Sequence, residues 1–225
     1  MTASQNNYIR LAFEKAKVNL GSTKKNPSVG CVVEKNGSVI SSGNTSLNGR
    51  PHAEFNALNK NINFKGSNLY VTLEPCSHFG KTPPCTNLIK AKKIKNIYFP
   101  IFDEDSRTKK KSLKLSKKNI NIKINLNKKY ALDFYKSYFL QYKDNLLPLI
   151  DGKVAVSKDY YTISKKGKFI SSFSSRRRVH LLRSMYDCIL STSKSINDDN
   201  SILDCRIDGL QKKSPDLVII DRFLK

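Results

Sequence analysis

The sequence predicts an α/β protein built as two successive units, and three observations carry that expectation. Short runs of apolar residues alternate with segments whose apolar residues recur every three or four positions, the order that lays helices against a sheet. Asn36-Gly37 lies between two such runs, the strongest short-range signal for a hairpin. A polar break at Lys143-Asp144-Asn145 then separates this alternation from a second, shorter one. The expected domains are residues 1–143 and 144–225. The second has about 80 residues, fewer than the roughly 100–150 of a typical domain.

Each element follows from its own pattern. Ser4 to Leu20 reads as a helix, with Ile9, Phe13, Ala16 and Leu20 on one face and Gly21 as its stop. Val29–Glu34 and Ser38–Ser42 are the hairpin strands, and Cys31 within the first is expected to be a small buried hydrophobe. A second helix runs from His52 to Leu58, and an apolar strand from Asn68 to Leu73 ends at Glu74-Pro75. Cys85–Lys92 is a helix, Ile94–Pro100 a strand, Arg107–Leu115 a helix and Ile120–Leu126 a strand. Tyr130–Tyr142 carries an aromatic stripe at helical spacing. In the second unit a strand is expected over Leu146–Val156, a helix over Ser175–Arg183, and strands over Asp187–Ser191 and Leu217–Asp221.

Composition narrows the function classes. Hydrophobic residues make up 39% of the chain, enough for a packed core, and no run approaches the roughly 18 apolar residues of a membrane span. The polar start Met1–Arg10 predicts no signal peptide. Five scattered cysteines do not suit a disulfide framework, so a reducing cytoplasm is expected. The formal net charge is +23, and ten basic residues with no acidic one lie between Arg107 and Lys129. Such charge invites a polyanion. That stretch lacks the interleaved aromatics on which single strands stack, so a solvated basic surface is the expectation and nucleic acid is not. A phosphorylated small substrate would be drawn to the same field.

The chemistry concentrates in His52-Ala53-Glu54, Pro75-Cys76 and Cys85. One imidazole and two thiolates form the three-ligand set of a catalytic Zn2+ whose fourth position is open to water. Glu54, two residues after the histidine, is placed to carry a proton without binding the metal. This is the set that removes an amino group from a heterocycle, and base deaminases read H-x-E…P-C-x-x-C. Here eight residues, Ser77 to Pro84, separate the cysteines. A nucleic-acid or nucleoside base deaminase is therefore one alternative. Another is a non-catalytic basic binding module with a structural zinc, for which His78 is the nearby fourth ligand.

Three runs carry a more specific resemblance: Asn26-Pro27-Ser28-Val29-Gly30-Cys31-Val32, Pro51 to Leu58, and Thr72 to Cys85. They resemble the bifunctional riboflavin-biosynthesis deaminase/reductase family. The resemblance implies a cytidine-deaminase-like three-layer domain followed by the N-terminal part of a dihydrofolate-reductase-like α/β domain. It implies hydrolytic deamination of a diaminopyrimidinone bearing a phosphoribosylamino arm, with Asn26 on the pyrimidine and Lys81 beside the substrate. A homo-oligomer is the expected assembly.

The resemblance also implies an NADPH-dependent reduction of the ribosyl arm. By position Phe169, Ser195 and Asp199 would contact NADPH, and Arg183, Leu203 and Arg206 the substrate. The family's tryptophan is Phe169 here, and its Asp-Pro-Asn-Pro segment is replaced by Phe102-Asp103-Glu104-Asp105-Ser106-Arg107. The chain reaches Lys225 just after the third expected strand of the second unit, so a truncated reductase domain is expected.

Overall fold

Asn36 and Gly37 both take positive φ, 53° and 82°, as a two-residue hairpin turn requires. The chain therefore folds straight back, pairing β1 (Gly30–Lys35) antiparallel with β2 (Ser38–Asn44). The computed structural model describes residues 3–143, 148–162 and 169–223. It divides into two compact units, Met1–Leu149 and Ile150–Lys225.

The first unit is a five-stranded mixed sheet in the order β2-β1-β3-β4-β5, where β3 is Asn68–Val71, β4 is Asn96–Phe99 and β5 is Asn121–Ile124. β3 runs antiparallel to β1, and β4 and β5 run parallel to β3. Parallel neighbours need crossovers. α3 (Cys85–Ala91) supplies the one between β3 and β4, and a 3-10 helix, Lys111–Lys118, lies between β4 and β5.

Two glycines show how the helices are layered. A Cβ on Gly30 would fall 1.8 Å from the carbonyl oxygen of Ala12, in α1 (Ala3–Lys17). A Cβ on Gly43 would fall 2.5 Å from that of Ala53, in α2 (Ala53–Leu58). Gly43 pairs with Cys31, the neighbour of Gly30, so the two glycines point to opposite faces. α1 and α2 thus cover opposite sides of the sheet in a three-layer α/β arrangement. α1 buries Ile9, Ala12, Phe13 and Ala16, and it stops at Lys17, leaving Leu20 beyond its end. Phe13 meets Tyr130 and Phe134 edge-on at 4.8 and 5.3 Å, and Cys31 is buried in the same core.

Two expected helices differ from the sequence reading. Arg107–Leu115 forms turns and then the 3-10 helix. Backbone N–H groups of Lys110 and Ser112 donate to the Glu74 carboxylate, that of Arg107 donates to Asp105, and Lys110 takes φ 61°. Side chains satisfy these donors and displace the α-helical ladder. The helix expected over Tyr130–Tyr142 is broken at Tyr135 into α4 (Lys128–Phe134) and α5 (Lys136–Leu140). The Tyr135 hydroxyl donates to the Ser28 carbonyl at 3.1 Å and meets Thr72 Oγ1 at 2.5 Å, pinning the ring in the core.

In the second unit α6 (Phe173–Arg183) starts at Ser172, whose hydroxyl accepts the Ser175 N–H. β6 (Cys188–Thr192) and β7 (Asp216–Ile220) pair in parallel, and α7 (Ser193–Asp199) follows β6. Of the strand expected over Leu146–Val156, residues 146 and 147 lie outside the described residues, as do Asp144 and Asn145 of the polar break. Residues 148–156 form no strand, and among the described residues the second unit's sheet consists of β6 and β7. Among the described residues no helix is long and apolar enough to cross a membrane.

Candidate active site

His52 sits immediately before α2, Cys76 follows the end of β3, and Cys85 opens α3, so three neighbouring elements each deliver one donor. His52 Nδ1 lies 3.5 Å from Cys76 Sγ and 3.5 Å from Cys85 Sγ, and all three donor atoms fall within 4.8 Å of one another. Zinc bonds of about 2.3 Å to sulfur and 2.0–2.1 Å to nitrogen place tetrahedral donors roughly 3.5–3.8 Å apart. The cluster therefore fits a zinc ion. His78 stands outside it, its Nδ1 turned 2.9 Å from Thr108 Oγ1, so among the described residues the cluster gains no fourth protein ligand.

The cluster's protons are shared unevenly. Hydrogen bonds from the Cys85 thiol, the His52 ring and the Cys85 backbone N–H, the last at 3.3 Å, hold the Cys76 thiol down at about 4. Cys85 moves the opposite way, pushed well up by sharing its proton with Cys76 and by burial. Glu54 lies one residue into α2 and is buried. That burial, reinforced by the charge on Cys76 and opposed by His52, pushes its carboxyl up to about 7. A carboxyl in that range both accepts and releases a proton at neutral pH.

The cluster opens into a cavity of about 990 Å³. His52, Glu54 and Cys76 line it, together with Asn26 and Lys81, so five of the residues singled out in the first domain share one space. Asn26 Nδ2 donates to the Gly49 carbonyl at 3.1 Å. Gly49 takes φ 86°, and a Cβ there would stand 2.5 Å from Asn26 Nδ2, so glycine is required for this approach.

Several lining residues escaped the sequence reading. Glu74 is 3% exposed and accepts from the N–H groups of Asp103, Lys110 and Ser112 and from the Ser112 hydroxyl. Asp103 accepts from the Asp105 N–H and the Tyr138 hydroxyl, each at 3.1 Å, and its burial pushes its carboxyl up to about 6. Arg50 also lines the cavity. The available signal for Glu74 was its place in Glu-Pro-Cys, and for Asp103 its place past the carboxyl end of β4, where ligands gather in parallel sheets. Tyr138 and Arg50 had no such signal.

In the second unit, Arg183 Nη1 donates to the Asp204 carbonyl at 2.9 Å, and the Arg206 N–H donates to Nδ1 of His180, one turn before Arg183. Arg183, Arg206 and the intervening Leu203, at φ 56°, thus lie close together. Burial lowers the Arg183 guanidinium from its usual range. Phe169 is exposed beneath the Arg176 guanidinium at 4.1 Å. Ser195 lies in the first turn of α7, its N–H on Thr192 Oγ1, and Asp199 closes that helix.

Residues 2–101 match the cytidine and deoxycytidylate deaminase zinc-binding region, a segment that contains every donor of the cluster and Glu54. The diaminohydroxyphosphoribosylamino-pyrimidine deaminase of Buchnera aphidicola subsp. Schizaphis graminum is 39% identical over 141 residues, 62% of this chain and 96% of that one. The chain belongs to this deaminase family. Beyond the deaminase domain, the riboflavin biosynthesis protein RibD of Bacillus amyloliquefaciens is 35% identical over 221 residues. That match covers 96% of this chain but 59% of the relative, so the chain spans about three fifths of the longer protein's length. The crystal structure of the deaminase/reductase from Thermotoga maritima superposes with a TM-score of 0.85 at 30% identity, covering 98% of this chain and 64% of that one. The zinc-binding deaminase domain is therefore present in this chain.

Proposed function

We propose that this chain catalyses the deaminase step of riboflavin biosynthesis, hydrolysing an amino group from a phosphoribosylamino-diaminopyrimidinone to give the corresponding aminouracil. The observation that carries this reading is the three-donor cluster, with no fourth protein ligand among the described residues, facing a cavity beside a buried carboxyl. His52, Cys76 and Cys85 are the residues that would hold zinc. When bound, zinc acts as a Lewis acid that brings the pKa of water to about 7.

Glu54 takes the proton that water gives up as its oxygen bonds to the amino-bearing ring carbon. It passes that first proton to the ring nitrogen, then carries the second, from the hydroxyl now on the ring carbon, to the amine, so the carbon–nitrogen bond breaks, the carbonyl forms and ammonia leaves. Glu54 is buried beside the donors, where burial favours its protonated form and lets it hold a proton between the two transfers. Asn26, fixed on Gly49, offers an amide to the pyrimidine edge, and Lys81 borders the ribosyl arm. Arg183, Leu203 and Arg206 as substrate contacts, and Phe169, Ser195 and Asp199 as NADPH contacts, belong to the family's reduction step and have no part in this chemistry.

The test is ammonia release from the zinc-loaded chain and the phosphorylated diaminopyrimidinone. Glu54→Gln is expected to abolish release while one zinc per chain is retained. Release that persists in Glu54→Gln removes the proton carrier from the mechanism.

A further inference from the structure

Arg50 stands between the two loops that carry the metal donors. It lies two residues before His52, and its Nη1 donates to Thr82 Oγ1, in the loop between Cys76 and Cys85, at 2.5 Å. A Cβ on Gly80 of that loop would come within 3.3 Å of Arg50 Nη2, so the loop is small where the guanidinium passes. The side chain lines the cavity and is half-buried. Among the described residues no carboxylate lies within ion-pair distance of Arg50, or of Lys24, Lys25 and Lys81, which line the same cavity. Arg107, the remaining basic residue of the lining, is by contrast already neutralised by Asp105 at 2.6 Å.

Among the described residues these four cations of the lining thus have no ion-pair partner, and they are not equivalent. Lys24, Lys25 and Lys81 are exposed, flexible point charges. Arg50 is held by Thr82 and keeps further N–H donors in a planar fork, the geometry that pairs with two oxygens of one phosphate. We propose that Arg50 is the phosphate-recognition residue of this site, a clamp for the dianionic end of the substrate, with the three lysines supplying the surrounding field. This inference rests on the deaminase reading for the identity of the substrate. The anion site itself rests on geometry alone.

Two measurements keep those apart. Deamination of the phosphorylated substrate and of its dephosphorylated riboside is compared in the wild type, Arg50→Gln, Arg50→Lys and Lys92→Gln. The ratio of kcat/KM values between the two substrates is expected to fall about 10- to 100-fold in Arg50→Gln, the scale of an ionic hydrogen bond, through KM rather than kcat. Arg50→Lys, which keeps the charge without the fork, is expected to recover part of the ratio. Lys92, which lies over Phe64 away from the cavity, is the control whose loss leaves the ratio unchanged. A ratio that stays the same in Arg50→Gln, with deamination intact, overturns the clamp and leaves the deaminase reading standing.

The second measurement is calorimetric binding of ribose phosphate to the zinc-loaded wild type and to Arg50→Gln and Arg50→Lys. Weaker binding in both variants supports the anion site even where no deamination is seen, and equal binding overturns it. Because Arg50 also bonds Thr82, Thr82→Val is melted alongside. Retention of ribose phosphate binding in Thr82→Val, with loss in the arginine variants, assigns the effect to the guanidinium and not to loop stability.

Discussion

The Glu74 carboxylate accepts both hydrogen bonds that Ser112 can donate, from its N–H at 3.0 Å and its hydroxyl at 2.7 Å. Its other oxygen takes the N–H groups of Asp103 and Lys110 at 3.2 and 3.0 Å. One buried carboxylate, two residues from the donor Cys76, therefore anchors the segment from Asp103 to Ser112, which gives the cavity wall Asp103, Asp105 and Arg107. Replacing it with Ala leaves the buried donors of Asp103 and Ser112 without a partner, at about 1–3 kcal/mol for each group left unpaired. Glu74→Ala is expected to cost about 3 kcal/mol in urea unfolding, the scale of several neutral buried donors left unpaired at once. Glu74→Gln, which keeps one acceptor oxygen, is expected to cost less. A loss below about 1 kcal/mol in Glu74→Ala contradicts this anchoring role.

That wall also marks where the sequence stops being legible. His52, Glu54, Cys76 and Cys85 could be read together because their chemistry needs particular residue types in short motifs, and α2, β3 and α3 bring those motifs into one cluster. The Asn36-Gly37 turn is readable for a similar reason, since its positive φ values are a local demand. The breaks at Tyr135 and across 107–115 are not local. Tyr135 answers to Ser28, 107 residues away, and Ser112 to Glu74, 38 residues away, and no periodicity encodes such partners. Arg50 and Tyr138 were missed for the same reason. Each becomes part of the site only when a distant loop or carboxylate arrives beside it.

Asp103 gives the fold a pH dependence whose sign can be worked out. Burial raises its carboxyl to about 6, with the charges of Asp105 and Glu74 pushing the same way, against an ordinary value of 3.8. The folded chain therefore holds this proton more tightly than the unfolded chain does. The stabilising contribution is fully present below about pH 4 and is lost as pH rises through 6. Each tenfold change in proton affinity is worth about 1.36 kcal/mol, so the loss is on the order of 3 kcal/mol. Asp103→Asn cannot ionise, so the difference in stability between wild type and variant should move in the variant's favour from pH 4 to pH 8. Urea unfolding at several pH values measures it, and a pH-independent difference sinks the assignment.

Metal removal separates the role of the cluster in folding from its role in chemistry. Two thiols, an imidazole and Glu54 converge with little solvent around them, and the uneven sharing of protons between Cys76 and Cys85 reflects that crowding. A dication that binds only the folded cluster stabilises the chain by mass action, about 2.7 kcal/mol at a free concentration one hundred times its Kd. A chelator is therefore expected to abolish ammonia release and lower Tm together, and added zinc to restore both. Cys85→Ala should retain far less than one zinc per chain and lose the zinc-dependent part of Tm. Glu54→Gln should keep that part in full, because Glu54 stands beside the donors and is not one of them. A zinc-dependent Tm that is weakened equally by Glu54→Gln and Cys85→Ala would place the carboxylate among the ligands and overturn the division of labour between them.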